Sequence, residues 1–200
     1  MTRNAVLQII ASVALVALVG CGGKQVTRID PNTTTDLSGK WNDTDSRLVA
    51  EEMITDCMSR PWLTNNYPNS TPTIIVGNVR NKSHEHINVE TFVKDLERTL
   101  INSGKVEFVA SKNERVQIRE EKADQMSGNA SEETMKSAGN ETGADLMLIG
   151  SINTIADQEG NKRVMYYQVD LELIEIETHK KLWIGDKKIK KVITKSKARL

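Results

Sequence analysis

The sequence predicts an α+β fold in which helices pack against a mostly antiparallel sheet. Two observations lead to this fold class. In the first half of the chain, segments with apolar residues four positions apart alternate with short apolar runs, and the last third carries three consecutive segments of strand type. The elements follow in the order α-β-α-β-α-α-β-β-β. Consecutive strands at the C-terminal end favour antiparallel pairing there.

The domain organisation follows from length and composition. The chain has 200 residues, which suits one globular domain and an export segment. Its 27 basic and 27 acidic residues balance, so no nucleic-acid partner is expected. We predict a signal peptide over residues 1–20, a lipidated cysteine and flexible tether over residues 21–38, a globular domain over residues 39–192 and a basic tail over residues 193–200.

The first helix is predicted over residues 46–59. Val49, Met53 and Cys57 are spaced four apart and form one apolar stripe. Because Cys57 belongs to this stripe, we expect it to be a small buried residue. A catalytic thiol is the alternative, but no suitably placed histidine supports it.

The other helices are predicted from their end signals. Asn88 suits the N-cap of a helix over residues 88–103, and Gly104 suits its C-terminal end. A polar helix opens at residue 111 with a capping box and fades near residue 128. A further helix is predicted over residues 131–141. Acidic and basic residues mix throughout this region, which indicates a solvated surface.

Strands are predicted where apolar residues run together or alternate with polar ones. In the longest of these segments the alternation slips at Leu173 and Ile174, and a β-bulge would explain the slip. The predicted strands span residues 73–79, 106–110, 144–156, 164–177 and 182–192.

The amino terminus has the pattern of a lipoprotein signal peptide. Arg3 precedes an uncharged apolar run over residues 5–19, too short for a spanning helix. Leu-Val-Gly before Cys21 matches the lipobox, in which a small residue precedes the cleaved bond and the thiolate accepts a diacylglycerol. We therefore predict cleavage between Gly20 and Cys21 and lipidation of Cys21. A secretory signal with a chance cysteine, or a short membrane anchor, is the alternative.

The residues after the cleavage site predict the location. In enteric bacteria an Asp directly after the lipidated cysteine retains lipoproteins in the inner membrane, and here the next residue is Gly22. Anchoring in the outer membrane, facing the periplasm, is therefore expected. After cleavage, Cys21 would carry a diacylglycerol on its sulfur and a third acyl chain on its amino group. Two lipid chains already suffice for stable membrane anchoring, so three would hold the protein firmly.

No motif in the sequence predicts catalysis, a cofactor or a metal site. His84 and His86 alternate and could share a metal ion, but two histidines without nearby cysteine or aspartate ligands do not make a zinc site. Nucleophile elbows, phosphate-binding loops and paired-carboxylate motifs are absent from the sequence. We therefore expect a protein that is not an enzyme and whose His84–His86 loop is solvated.

The C-terminal segment is strongly basic. Residues 180–200 hold nine basic residues and one acidic residue. Contact with anionic phosphates of the envelope is one interpretation. The favoured alternative is that its lysines protect an edge strand from pairing with other chains.

Three segments together resemble a known family. Residues 76–111 contain a strand, an Asn-Arg loop, a helix ending in Asn-Ser-Gly and a short strand; residues 141–152 begin Glu-Thr-Gly-Ala-Asp; and residues 169–189 form a closing hairpin with Leu182 and Trp183. In this order they resemble the LpoB-type outer-membrane lipoproteins, which activate bifunctional penicillin-binding proteins.

The resemblance implies a regulatory role. It implies that the chain docks as a monomer on a peptidoglycan synthase and raises its polymerising and cross-linking activity, by binding the active state more tightly. The resemblance implies no catalytic residues in this sequence, and it does not assign the residues that bind the partner. The alternative is a lipid-anchored envelope scaffold or secretion-associated domain without a synthase partner.

Overall fold

The computed structural model describes residues 25–195. The chain divides into two units, residues 1–33 and residues 34–200. Of the first unit, residues 25–33 are described, and they contain a turn in which the Thr33 N–H donates to the carbonyl oxygen of Asp30 at 3.0 Å. Within residues 25–195, no helix is both long enough and apolar enough to span a membrane.

In the second unit the first helix lies where the sequence predicts it, but it begins at Asp43, three residues before the predicted start at residue 46. Asn42 caps the first helix, and its side chain and that of Asp45 form a reciprocal capping box. The second helix is a short turn after Pro61 that the sequence pattern does not predict. The helices are α1 (Asp43–Ser59), α2 (Trp62–Asn66), α3 (Val89–Asn102) and α4 (Lys112–Asp124), and a π-helical segment (Gln125–Asn129) extends α4.

The described strands form one five-stranded sheet. They are β1 (Thr73–Asn81), β2 (Glu107–Phe108), β3 (Leu146–Glu159), β4 (Lys162–Glu175) and β5 (Lys181–Thr194), in the spatial order β2-β1-β3-β4-β5. The antiparallel C-terminal hairpins are confirmed. The prediction of a mostly antiparallel sheet is wrong, because β1 runs parallel to both β2 and β3 and the sheet is mixed. The chain crosses over through α3 and then α4, and a crossover returns the next strand in the parallel direction.

The predicted bulge in the long hairpin is confirmed. The register between β4 and β5 shifts between Leu173 and Ile174, which is where the alternation of the sequence slips. The extra residue is Leu182 of β5, which is passed over between Lys181 and Trp183, and it bends that strand and increases its twist. The sequence pattern therefore located an irregularity of the backbone correctly.

The predicted helix over residues 131–141 is wrong. This segment contains turns only, and Gly139 adopts a positive φ of 85°. Its one large apolar residue, Met135, is exposed. A short helix without an apolar face to bury gains too little from packing to offset the cost of nucleation.

The core lies between α1, α3 and one face of the sheet. α1 packs on α3 and on β5, and α3 packs on β1. The apolar stripes predicted from the sequence supply this core, and the aromatic rings of Trp41, Phe92 and Tyr167 meet edge to face at its rim. The largest fully buried side chains are Tyr167, Phe92, Ile54, Ile74, Leu96, Leu100, Leu146, Leu148, Ile152, Leu171, Leu173 and Val49.

Candidate partner-binding surface

The predicted lipidation site cannot be placed in the fold. Gly20 and Cys21 lie outside the described residues, as do residues 196–200 of the basic tail. Cleavage before Cys21 and lipidation there stay predictions from the sequence.

Cys57 lies in the core, where the sequence analysis places it. Its side chain is 1% exposed. Burial raises the pKa of Cys57 to about 12. A thiol held in its protonated form is a poor nucleophile, so the site supports a packing role for Cys57.

The histidine loop is fixed to the fold by the residue between its two histidines. The Glu85 carboxylate accepts hydrogen bonds from the Trp41 backbone N–H at 3.1 Å and from the Tyr167 hydroxyl at 2.8 Å. Burial, together with this carboxylate, raises the pKa of Tyr167. His84 and His86 are exposed on either side. Within residues 25–195, no group of three or more histidine, cysteine, aspartate and glutamate side chains is placed to hold a metal ion.

Strand β5 forms one edge of the sheet, which we call the guarded edge (Lys181–Thr194). Alternate side chains of this strand reach acidic residues of the domain. Lys191 Nζ lies 2.6 Å from Asp45 Oδ2 and 2.6 Å from Asp36 Oδ1, and Lys187 pairs with Glu52. The strand is thereby fixed to α1 by ion pairs.

The buried end of the guarded edge is held by Trp183. Its Nε1 donates to Asp56 Oδ2 at 2.9 Å, and its ring is 6% exposed. A hydrogen bond from Arg60, and then that from Trp183, lowers the pKa of Asp56. On the other face of β5, Lys188 and Lys190 project into solvent. Lysines along an edge discourage pairing with other chains, so the structure favours the edge-protecting interpretation of this part of the basic segment.

The opposite edge of the sheet is formed by β2 and has no such lysines on its strand. The Glu107 N–H donates to the Pro72 carbonyl at 3.0 Å, and the Val109 N–H donates to the Ile74 carbonyl at 3.2 Å. Because backbone groups alternate in direction along an extended chain, those of Phe108 and Ala110 point away from β1. They have no hydrogen-bond partner among residues 25–195.

A groove runs beside this open edge, and we call it the edge groove. It has a volume of about 250 Å³. Residues 108–110 form one wall and the Arg115 and Ile118 side chains of α4 form another, with Glu141 and Thr142 closing the end. Ile118 is 46% exposed, so the groove presents apolar surface to solvent.

An ion-pair network fixes the start of α4 against α3. Ser111 and Glu114 form the predicted capping box. Lys94 Nζ of α3 lies 2.7 Å from Glu97 Oε2 and 2.8 Å from Glu114 Oε1. The hydrogen bond from Lys94, with those from Ser111, lowers the pKa of Glu114 to about 2. The helix wall of the edge groove is therefore positioned by charged contacts.

The two arginines of α4 that face this region differ in their partners. Arg119 donates two hydrogen bonds to the Glu141 carboxylate, at 2.8 and 2.7 Å. Arg115 is half-buried, and its guanidinium makes no hydrogen bond or ion pair with the described residues. The hydrogen bond from Arg119, with the charges of Lys122 and Arg115, lowers the pKa of Glu141. The edge groove therefore contains a guanidinium that acts on a carboxylate through its charge and has no hydrogen bond to the described residues.

A larger groove of about 710 Å³ lies between α1 and α3. Its lining includes Ile54 and Met58, whose side chains are buried. Two of its cations are already paired within their own helices, Arg47 with Glu51 and Arg98 with Asp95. A third cation, Lys105, also lines this groove, so it stays a second candidate surface for a partner.

The sequence matches a family model over most of the globular unit. The model is that of the peptidoglycan-synthase activator LpoB, and it matches residues 45–189. The chain belongs to the LpoB family. This is a family of activators, and the match contains β2 and the first part of β5, up to residue 189.

Solved structures of two LpoB domains and of one further lipoprotein are similar to the chain at low identity. The LpoB C-terminal domain from Escherichia coli is 15% identical, with a TM-score of 0.44, and the alignment covers 72% of this chain and 98% of that domain. The corresponding domain from Salmonella enterica is 14% identical, with a TM-score of 0.43 and the same coverage of both chains. Lipoprotein GNA1162 from Neisseria meningitidis is 14% identical over 64% of this chain and 88% of its own, with a TM-score of 0.39. No curated protein sequence matches the chain significantly. The family model alone establishes the family.

Proposed function

We propose that this chain is an outer-membrane lipoprotein, anchored through Cys21 and facing the periplasm, that binds a bifunctional penicillin-binding protein and raises its peptidoglycan-synthesising activity. The observation that carries the proposal is the match of residues 45–189 to the LpoB family. The lipobox before Cys21 supports the anchor, and Gly22 in place of aspartate supports the outer membrane.

The fold supports a regulator that acts by binding. Activation of an enzyme by a bound protein requires tighter binding to the active state than to the inactive state. A rigid domain serves this purpose, and here ion pairs and a buried tryptophan fix β5 to α1. The proposed activator acts as a monomer and contributes no reacting group of its own.

The test of activation is an assay on the partner. The full chain, purified in detergent, is mixed with each bifunctional penicillin-binding protein of the host, and the rate of glycan polymerisation on lipid-linked precursor is measured. We expect one synthase to bind and to polymerise faster. If the chain bound none of them, the activator proposal would be wrong and the envelope scaffold would be the better interpretation.

The test of the anchor uses the two cysteines of the chain as a matched pair. Cys21→Ser removes the proposed acyl acceptor, and Cys57→Ser changes the other cysteine. Intact mass and membrane fractionation are measured for both. We expect the first variant alone to lose the lipid mass and leave the membrane fraction; lipid retained on Cys21→Ser would refute the anchor.

A further inference from the structure

The two edges of the sheet differ in what they can pair with. Along the guarded edge, Lys188 and Lys190 project beside a 14-residue strand. At the open edge, the N–H and C=O groups of Phe108 and Ala110 point outward without described partners. A chain that adds to a sheet edge forms its main-chain hydrogen bonds with groups of this kind.

The edge groove supplies a place for the side chains of an added strand. Alternate side chains of an extended segment project on the same side. Phe108 of β2 and the next two residues, Val109 and Ala110, are half-exposed, and Ile118 of α4 lines the same groove. A groove between an edge strand and a helix combines backbone pairing with apolar side-chain contacts, so few residues are needed for recognition.

Arg115 specifies the charge of the occupant. A half-buried guanidinium is most stable with a carboxylate in its fork. The carboxylate among the residues that line the groove, that of Glu141, already accepts a hydrogen bond from Arg119 on each oxygen. An occupant with a carboxylate at this position would complete the hydrogen bonding of Arg115.

We propose that the edge groove takes an extended segment of the synthase, which adds as a strand beside residues 106–110 and places a carboxylate against Arg115. This inference rests on the proposed function and names the mode of binding. The occupant is an extended polypeptide with apolar side chains at alternate positions and one acidic side chain or terminal carboxylate.

The experiment measures binding of the full-length chain, in detergent, to the synthase that the activation assay identifies. Ala110→Pro removes an outward N–H and leaves the bonds to β1 in place. Arg115→Gln removes the unpaired charge. Lys112→Pro is the control for proline, because it occupies the first position of α4 where proline is tolerated, and Arg98→Gln is the control for charge.

We expect Ala110→Pro and Arg115→Gln each to weaken binding by about tenfold or more, and the two controls to change it by less than about twofold. Arg115→Lys should retain part of the affinity, because it keeps the charge and loses the fork. In the complex, amide hydrogen exchange at Phe108 and Ala110 should slow, since new strand hydrogen bonds protect these groups.

The outcomes separate this inference from the proposed function. If the wild-type chain binds the synthase and both edge variants bind equally well, the mode of binding is overturned and the function stands. The same holds if exchange at Phe108 and Ala110 does not slow in the complex, or if it slows without synthase in proportion to chain concentration, which would indicate pairing with a second copy. If the wild-type chain binds no synthase, both proposals fall.

Discussion

The two edges of the sheet differ in whether another strand can pair with them. The guarded edge is 14 residues long, and lysines line it on both faces, with Lys187 and Lys191 held by acids of the domain. The open edge is a two-residue strand beside a groove with an unpaired arginine. A long edge strand left bare would pair with other chains, whereas a short one can stay exposed at little risk. The difference indicates that pairing is suppressed at β5 and left available at β2.

The largest effect is expected at the buried end of the guarded edge. Trp183→Ala removes a core side chain and its hydrogen bond to Asp56, and should lower the free energy of unfolding by about 3–5 kcal/mol. Urea unfolding of the full chain measures it. Trp183→Phe keeps most of the packing and should lose only about 1–2 kcal/mol. Equal losses in both variants would show that the hydrogen bond, and not the packing, holds β5.

The ion pair at the other end of β5 should have the next largest effect. Lys191→Met leaves the nearly buried Asp45 carboxylate without its cation and should cost about 3 kcal/mol. Asp45→Asn in the same background should recover part of this loss, because no unpaired charge is then left buried. A double-mutant cycle in urea measures the coupling. Additive losses would mean that Lys191 and Asp45 do not act as a pair.

Removing the solvent-facing lysines should make the guarded edge behave like an unprotected one. Lys188→Val with Lys190→Val should cause concentration-dependent association, seen by sedimentation velocity, with a change in unfolding free energy of less than about 1 kcal/mol. Lys112→Val with Lys122→Val, on α4, is the matched control. Association of the control to the same extent would attribute the effect to surface charge in general.

The smallest effect concerns the charged support of the edge groove. The folded pKa of Glu114 is about 2, below its unfolded value of about 4.3, so its contribution to stability is present above about pH 4.5 and is lost as the pH falls toward 2. Glu114→Gln should therefore lower the free energy of unfolding at pH 7 by less than about 1 kcal/mol, and by a smaller amount at pH 2.5, where part of the contribution is already lost. If the wild-type chain and Glu114→Gln differed in stability by the same amount at both pH values, the charge of Glu114 would not be the cause.

The sequence predicted the elements that carry their own local signal. The stripes of α1 and α3 were visible at four-residue spacing, the capping box at Ser111 and the N-cap at Asn88 marked helix starts, and the slip at Leu173 located the register shift between β4 and β5. Residues 131–141 were mistaken for a helix because their composition tolerates one, although Met135 finds no core to pack on.

The candidate site was beyond prediction for a different reason. Arg115 is one of several basic residues on a polar helix, and nothing in its spacing distinguishes it from Arg119. Only the fold brings Glu141 to Arg119 and leaves Arg115 beside the open edge. A pattern along the chain cannot tell which of two similar cations meets a carboxylate 22 residues away.

The sequence by itself determined the family, the apolar stripes and the antiparallel hairpins, and it predicts the lipoprotein signal, because each depends on residues close together in the chain. The tertiary structure decided that β1 pairs in parallel on both sides, that Gly185 lies where a Cβ would collide with the Trp183 ring, and that one sheet edge is guarded and the other open. These features depend on which distant segments pack together, and packing is fixed by the burial of apolar surface over the whole domain.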